Sequence, residues 1–202
     1  LLGAAFWALG SPVYGQGFMV KPMRLEVTPR AGQALELQIS VRNTTNTPNS
    51  VLVSAAELVQ SEQGGFVPLS LVQEKEKVDT SRMRSCLAWL SVGPDTLDIP
   101  PMEDRSVNVR LKVPFGVRGT YSACVTVRTK PPRPEPRKIP IVVHFVIPVI
   151  VTVQGSPARE NISLTDIGLE YVEATEANPA TTQVYMRVNN QGETYARLAG
   201  KV

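Results

Sequence analysis

From residue 18 onward, apolar and polar residues alternate with a period of two in one segment after another. Successive side chains of a strand point to opposite faces, so this spacing gives each strand one face to bury. "ALELQISVRNTT" shows it most plainly, with Leu35, Leu37, Ile39 and Val41 on a single face. The same reading covers "FMVKPMRLEVTP", "VLVSAAELVQSEQGG", "CLAWLSVGPDTLDIPPM", "EDRSVNVRLKVP" and "GTYSACVTVRTK", with turn signals such as "RAGQ" and "NTTNTPNS" between them. "FVPLSLVQEKEKVDTSRMRS" is a polar, charge-rich crossing segment, and no stretch predicts a helix longer than two turns. Together with the apolar run at residues 138 to 155, about seven strands fill residues 18 to 155, the count of one immunoglobulin-like β-sandwich.

That last run, "KIPIVVHFVIPVIVTVQG", is too short and too interrupted to span a membrane, and its β-branched residues suit a strand. Ile141, Val143, Phe145, Ile147, Val149, Val151 and Val153 share one face; Val142, His144, Val146, Pro148, Ile150 and Thr152 share the other. Proline cannot donate a ladder hydrogen bond, so Pro148 predicts an edge strand, or one that bends and changes sheet there. Two uses fit the apolar row: the last core strand of its own sandwich, or an edge that pairs with a partner, in which case the row from Ile141 to Ile147 is expected to be incompletely covered. The preceding "RTKPPRPEPRK", with four prolines and five basic residues, reads as a rigid hairpin tip.

The first residues, "LLGAAFWALGSPVYGQG", carry no charge and read as the remnant of a signal peptide over residues 1–17, which places the chain in the periplasm or at the cell surface. Cys86 and Cys124 fit that compartment as a disulfide closing a loop of about 38 residues, with two buried free thiols as the alternative. Residues 156–202 again read as strand, turn and strand, and are expected to be the start of a second, truncated β-sandwich, with "QGSPARE" as hinge.

Composition excludes several functions. A net charge of +3, from 21 basic and 18 acidic residues spread along the chain, is too balanced for a nucleic-acid footprint. The single histidine, His144, rules out a multi-histidine metal site, and no nucleophile elbow, phosphate loop or dinucleotide fingerprint occurs. No catalytic residue, metal or cofactor is expected, and the chain reads as a non-catalytic binding protein.

An A strand ending "MRLEVTP", then "LELQISVRNTT", "LDIPPMEDRSVNVRLKVP", "GTYSACVTV", a proline-rich loop and a long apolar strand resembles the N-terminal domain of the periplasmic pilus-assembly chaperones, the PapD-like family, over roughly residues 20 to 155. The resemblance implies an immunoglobulin-like sandwich that donates its last strand to an incomplete, pilin-like subunit, with Ile141, Val143, Phe145 and Ile147 as the donated row. It also implies a basic pair for the client's C-terminal carboxylate. Arg24 matches the arginine of that pair, but residues 139 to 153 contain no lysine or arginine to match the other member. The alternative is a structural or adhesive immunoglobulin-like module of a larger surface protein that binds cell-wall glycan or protein.

Overall fold

A computed structural model of the chain describes residues 13–15, 17–60, 65–72, 80, 83–130, 142–155, 159–175 and 178–193. The chain divides into two compact units, Leu1–Gly155 and Ser156–Val202. Among the described residues the regular structure is strand, apart from two three-residue 3₁₀ turns at Leu69–Leu71 and Leu87–Trp89.

In the first unit one sheet contains β1 (Val13–Gly15), β2 (Phe18–Lys21), β4 (Ala34–Asn43), β8 (Leu90–Gly93) and β10 (Asp104–Lys112), in the order β1-β2-β4-β10-β8. The other contains β3 (Leu25–Val27), β5 (Asn49–Ala56), β9 (Thr96–Ile99), β11 (Gly119–Thr129) and β12 (His144–Val153), in the order β3-β12-β11-β5-β9. A small hairpin of β6 (Leu58–Gln60) and β7 (Phe66–Pro68) forms a separate two-stranded ladder. The row β2-β4-β10-β8 is the A-B-E-D sheet of an immunoglobulin fold and β5-β11-β12 its C-F-G sheet, so strand order alone gives an all-β, immunoglobulin-like sandwich.

The period-two pattern builds the core directly. Leu37, Ile39 and Val41 of β4, Val107, Val109 and Leu111 of β10, Ala123, Val125 and Val127 of β11, and Phe145, Ile147, Val149, Val151 and Val153 of β12 all turn inward into one buried cluster. Trp89 and Tyr121 pack against it with ring centroids 4.4 Å apart. The outer face of the first sheet is polar instead, and cross-strand partners such as Glu36 and Arg110 form ion pairs there.

Two proline steps move the chain between sheets. After β2 it crosses at Pro22 to β3, and after β8 it crosses at Pro94 to β9; both prolines follow a cis peptide bond. Proline brings no N–H to a ladder, so pairing on the first sheet lapses at each and resumes on the second.

In the second unit, β13 (Ile162–Val172) and β14 (Thr181–Asn190) form an antiparallel ribbon, with a register shift between Leu164 and Asp166. Its large apolar side chains, among them Leu164, Ile167, Leu169 and Tyr171, are exposed.

Candidate functional site

The sequence singled out β12, and its two halves differ. On one side β12 pairs antiparallel with β11 along its whole length. On the other it pairs in parallel with β3 only at Val149 to Val151, opposite Leu25 to Val27, and a further bridge joins Gln154 to Arg30. Among the described residues no strand pairs with the other side of residues 144 to 148.

The register shows which backbone groups this leaves unladdered. Thr129 donates its backbone N–H to the carbonyl of Val143 at 2.9 Å, and the backbone N–H of Val143 donates back to the Thr129 hydroxyl at 2.9 Å. Hydrogen-bonded pairs alternate along an antiparallel ladder, so Val143, Phe145 and Ile147 turn their backbone groups toward β11. His144, Val146 and Pro148 turn theirs the other way. The Val149–Leu25 bridge already engages the Pro148 carbonyl with the Leu25 N–H, so the open edge offers two N–H groups and two carbonyls, those of His144 and Val146. Pro148 occupies a position where the missing N–H costs β12 no bond of its own.

The side chains sort by the same parity. Phe145 and Ile147, 4% and 0% exposed, lie in the sandwich core, and Val143 packs against it half-buried. The expectation that this apolar row is incompletely covered is thus corrected at Phe145 and Ile147: the facing sheet already covers them, and they hold the sandwich together. Ile141 lies outside the described residues, as do Pro131 to Lys138 of the proline-rich loop and most of the proposed signal remnant.

On the outer face, Ile150 and Val146 pack with Leu58, Cys124, Ala56 and Phe66, so the β6–β7 hairpin sits on this half of the sheet without joining its ladder. Arg24 immediately precedes the first β3 residue paired with β12, at the point where the open edge begins. Its Nε lies 2.5 Å from Glu26 Oε1 and its guanidinium stands over the Phe66 ring, 5.6 Å from the centroid. Any incoming carboxylate would share Arg24 with Glu26.

Further along the outer face lies a cleft of about 330 Å³ whose lining includes Leu52, Ser54, Thr126, Arg128, His144 and Leu71. Arg128 and His144 stand directly opposite each other on β11 and β12. The hydroxyls of Ser54 and Thr126 are hydrogen-bonded at 2.8 Å on its floor. Burial first, and the Arg128 cation second, hold the His144 imidazole below its usual pKa, so it is neutral at pH 7. Sequence reading placed His144 on a strand and missed this neighbour, because a cross-strand pair 16 positions apart appears only once the register is known.

The expected disulfide is corrected. Cys86 and Cys124 are both buried free thiols. Cys86 belongs to the core between the sheets, whereas Cys124 belongs to the outer cluster with Leu58 and Ile150. Residues of β11 at 123, 125 and 127 face inward, so residue 124 faces outward and its sulfur is directed away from Cys86. Burial pushes both thiols up from 9.0 to about 12.

Among the described residues no group of three or more His, Cys, Asp and Glu side chains is placed to hold a metal ion, and no helix is long and apolar enough to cross a membrane.

No protein-family model and no curated protein matches the chain. Among solved structures it is similar to PapD-like domain 7 of human CEP192, with 15% identity over 77% of this chain and 100% of that one and a TM-score of 0.45. It is also similar to the class 5 fimbriae chaperone CfaA, with 9% identity over 87% and 83% and a TM-score of 0.47. A third is the CsuC–CsuE chaperone–tip subunit pre-assembly complex of Acinetobacter baumannii Csu pili, with 13% identity over 87% and 77% and a TM-score of 0.46. Several of the similar solved structures are fimbrial or periplasmic chaperones, each under 25% identical to this chain.

Proposed function

We propose that this protein is an exported, non-catalytic binding protein that takes up an extended strand of a β-rich protein partner, of the incomplete pilin-like kind, on the open edge of β12. The observation that carries the reading is that edge: outward-facing backbone groups at His144 and Val146, ending at Pro148, where pairing with β3 begins. Unpaired strand edges bind other strands through their backbone groups, and soluble proteins ordinarily blunt or cover them. Arg24, next to the end of this edge, is the group in reach of a partner's terminal carboxylate. The uncharged N-terminal stretch of the sequence supports export.

Proline scanning of β12 tests the proposal. Val146→Pro repeats the parity of Pro148: among backbone groups it removes an N–H that faces the open edge and none bonded to β11, while the proline ring takes the place of the valine in the outer cluster. The variant is expected to keep cooperative unfolding while losing uptake of a β-rich subunit co-expressed in the periplasm. Phe145→Pro deletes an N–H bonded to β11 and is expected to cost about 3 kcal/mol or more and to compromise the fold itself. Unchanged subunit capture by a folded Val146→Pro variant would rule the edge out.

A further inference from the structure

We infer that the Arg128–His144 cleft receives an acidic side chain carried by the strand that pairs with the β12 edge, so that this edge selects partners by charge as well as by backbone pairing. The inference rests on the edge-pairing reading. Its own observation is charge complementarity: among the described residues Arg128 is the only charged side chain lining the cleft, and no ion pair among them engages it. The other lining groups are apolar side chains and hydroxyls, with one neutral imidazole.

Geometry sets which partner residue would be used. A strand added to β12 lies about 4.8 Å from it, and the residue opposite His144 on the outer face has its Cβ about 5 Å from that of His144. A Glu at that position reaches the imidazole directly. Arg128, one strand further in and directly opposite His144, lines the same cleft and has the length to reach the same carboxylate. Such a carboxylate would accept hydrogen bonds from the guanidinium and from a protonated imidazole, which are the stronger, charge-assisted kind. A Gln there offers no charge, and a Lys meets a cation.

His144 is the only histidine in the chain, so its imidazole gives a single NMR signal that reports on the cleft without assignment ambiguity. The probes are two blocked nine-residue peptides of alternating Thr and Val, one with a central Glu and the other with Gln in its place. Expected are binding of the Glu peptide about tenfold tighter than the Gln peptide, and an upward move of the imidazole titration midpoint with the Glu peptide alone. Arg128→Gln, an exposed site, should reduce the Glu peptide to the affinity of the Gln peptide and leave the latter unchanged. If both peptides perturb the His144 and Val146 amides equally and the midpoint stays put, the acidic selection is overturned while the edge stands. If neither peptide binds, the edge reading fails, and acetate titrated alone decides the cleft. An imidazole shift that vanishes in Arg128→Gln keeps a carboxylate site, and no shift overturns it.

Discussion

Phe145 and Cys124 show how much depends on which face of a strand a residue occupies. Phe145 is part of a uniformly apolar row, and the row is apolar because it is core. Phe145→Asp therefore buries an unpaired carboxylate, at several kcal/mol against the roughly 5 to 15 kcal/mol by which a domain is stable. The expected outcome is loss of the cooperative thermal transition, and a folded Phe145→Asp protein would contradict the burial described here. At the thiols the sign follows from their raised pKa values. Each folded thiol holds its proton up to about 12, whereas the unfolded thiol releases it near 9.0. Their contribution to stability is complete below pH 9 and is lost as pH rises toward 12. Denaturant midpoints measured across that window should fall more steeply for the native chain than for a C86A/C124A variant. At pH 8 both thiols should resist a disulfide reagent until the protein is unfolded.

At the scale of the element, alternation made β4, β10, β11 and β12 legible, because a period of two states both that a segment is a strand and which residues share a face. It does not state which face is inside. Ile147 and Val146 look equally apolar in sequence, yet one is core and the other lies under the β6–β7 hairpin. Nor does it state what lies beside a strand. The half-open edge of β12 arises because the chain leaves the first sheet at Pro22 and β3 begins only at Leu25. Of the site itself, Pro148 as an edge signal was readable from residue type, while Arg24 was reached only through the family resemblance. The Arg128–His144 cleft needed the register. Amide hydrogen exchange checks this geometry without any partner. The N–H groups of His144 and Val146 should exchange faster than those of Phe145 and Ile147, on the order of a hundredfold, although all four share one strand. Equal protection would mean that something already pairs with the edge.

At the scale of the whole molecule, the two units differ in how much they bury. The first closes a core between two sheets, while the ribbon of β13 and β14 keeps Leu169 and Tyr171 more than half exposed. Isolated two-stranded ribbons are marginally stable in water, whereas a closed sandwich unfolds as one cooperative body. We therefore propose a domain boundary between Gly155 and Arg159, at the hinge expected from the sequence, and expect trypsin to cut first at Arg159, an exposed residue following a stretch of glycine, serine and proline. The resulting N-terminal piece should resist further digestion and unfold at a midpoint within a few degrees of the uncut chain, because among the described residues no core residue of the sandwich lies beyond Val153. It should also retain the exchange contrast along β12 and the Glu-over-Gln peptide preference, since β3, β11, β12 and the cleft all lie before the cut. Loss of the thermal transition on cleavage, with intact cleavage chemistry, would show that the sandwich depends on residues after the hinge and would dissolve the boundary.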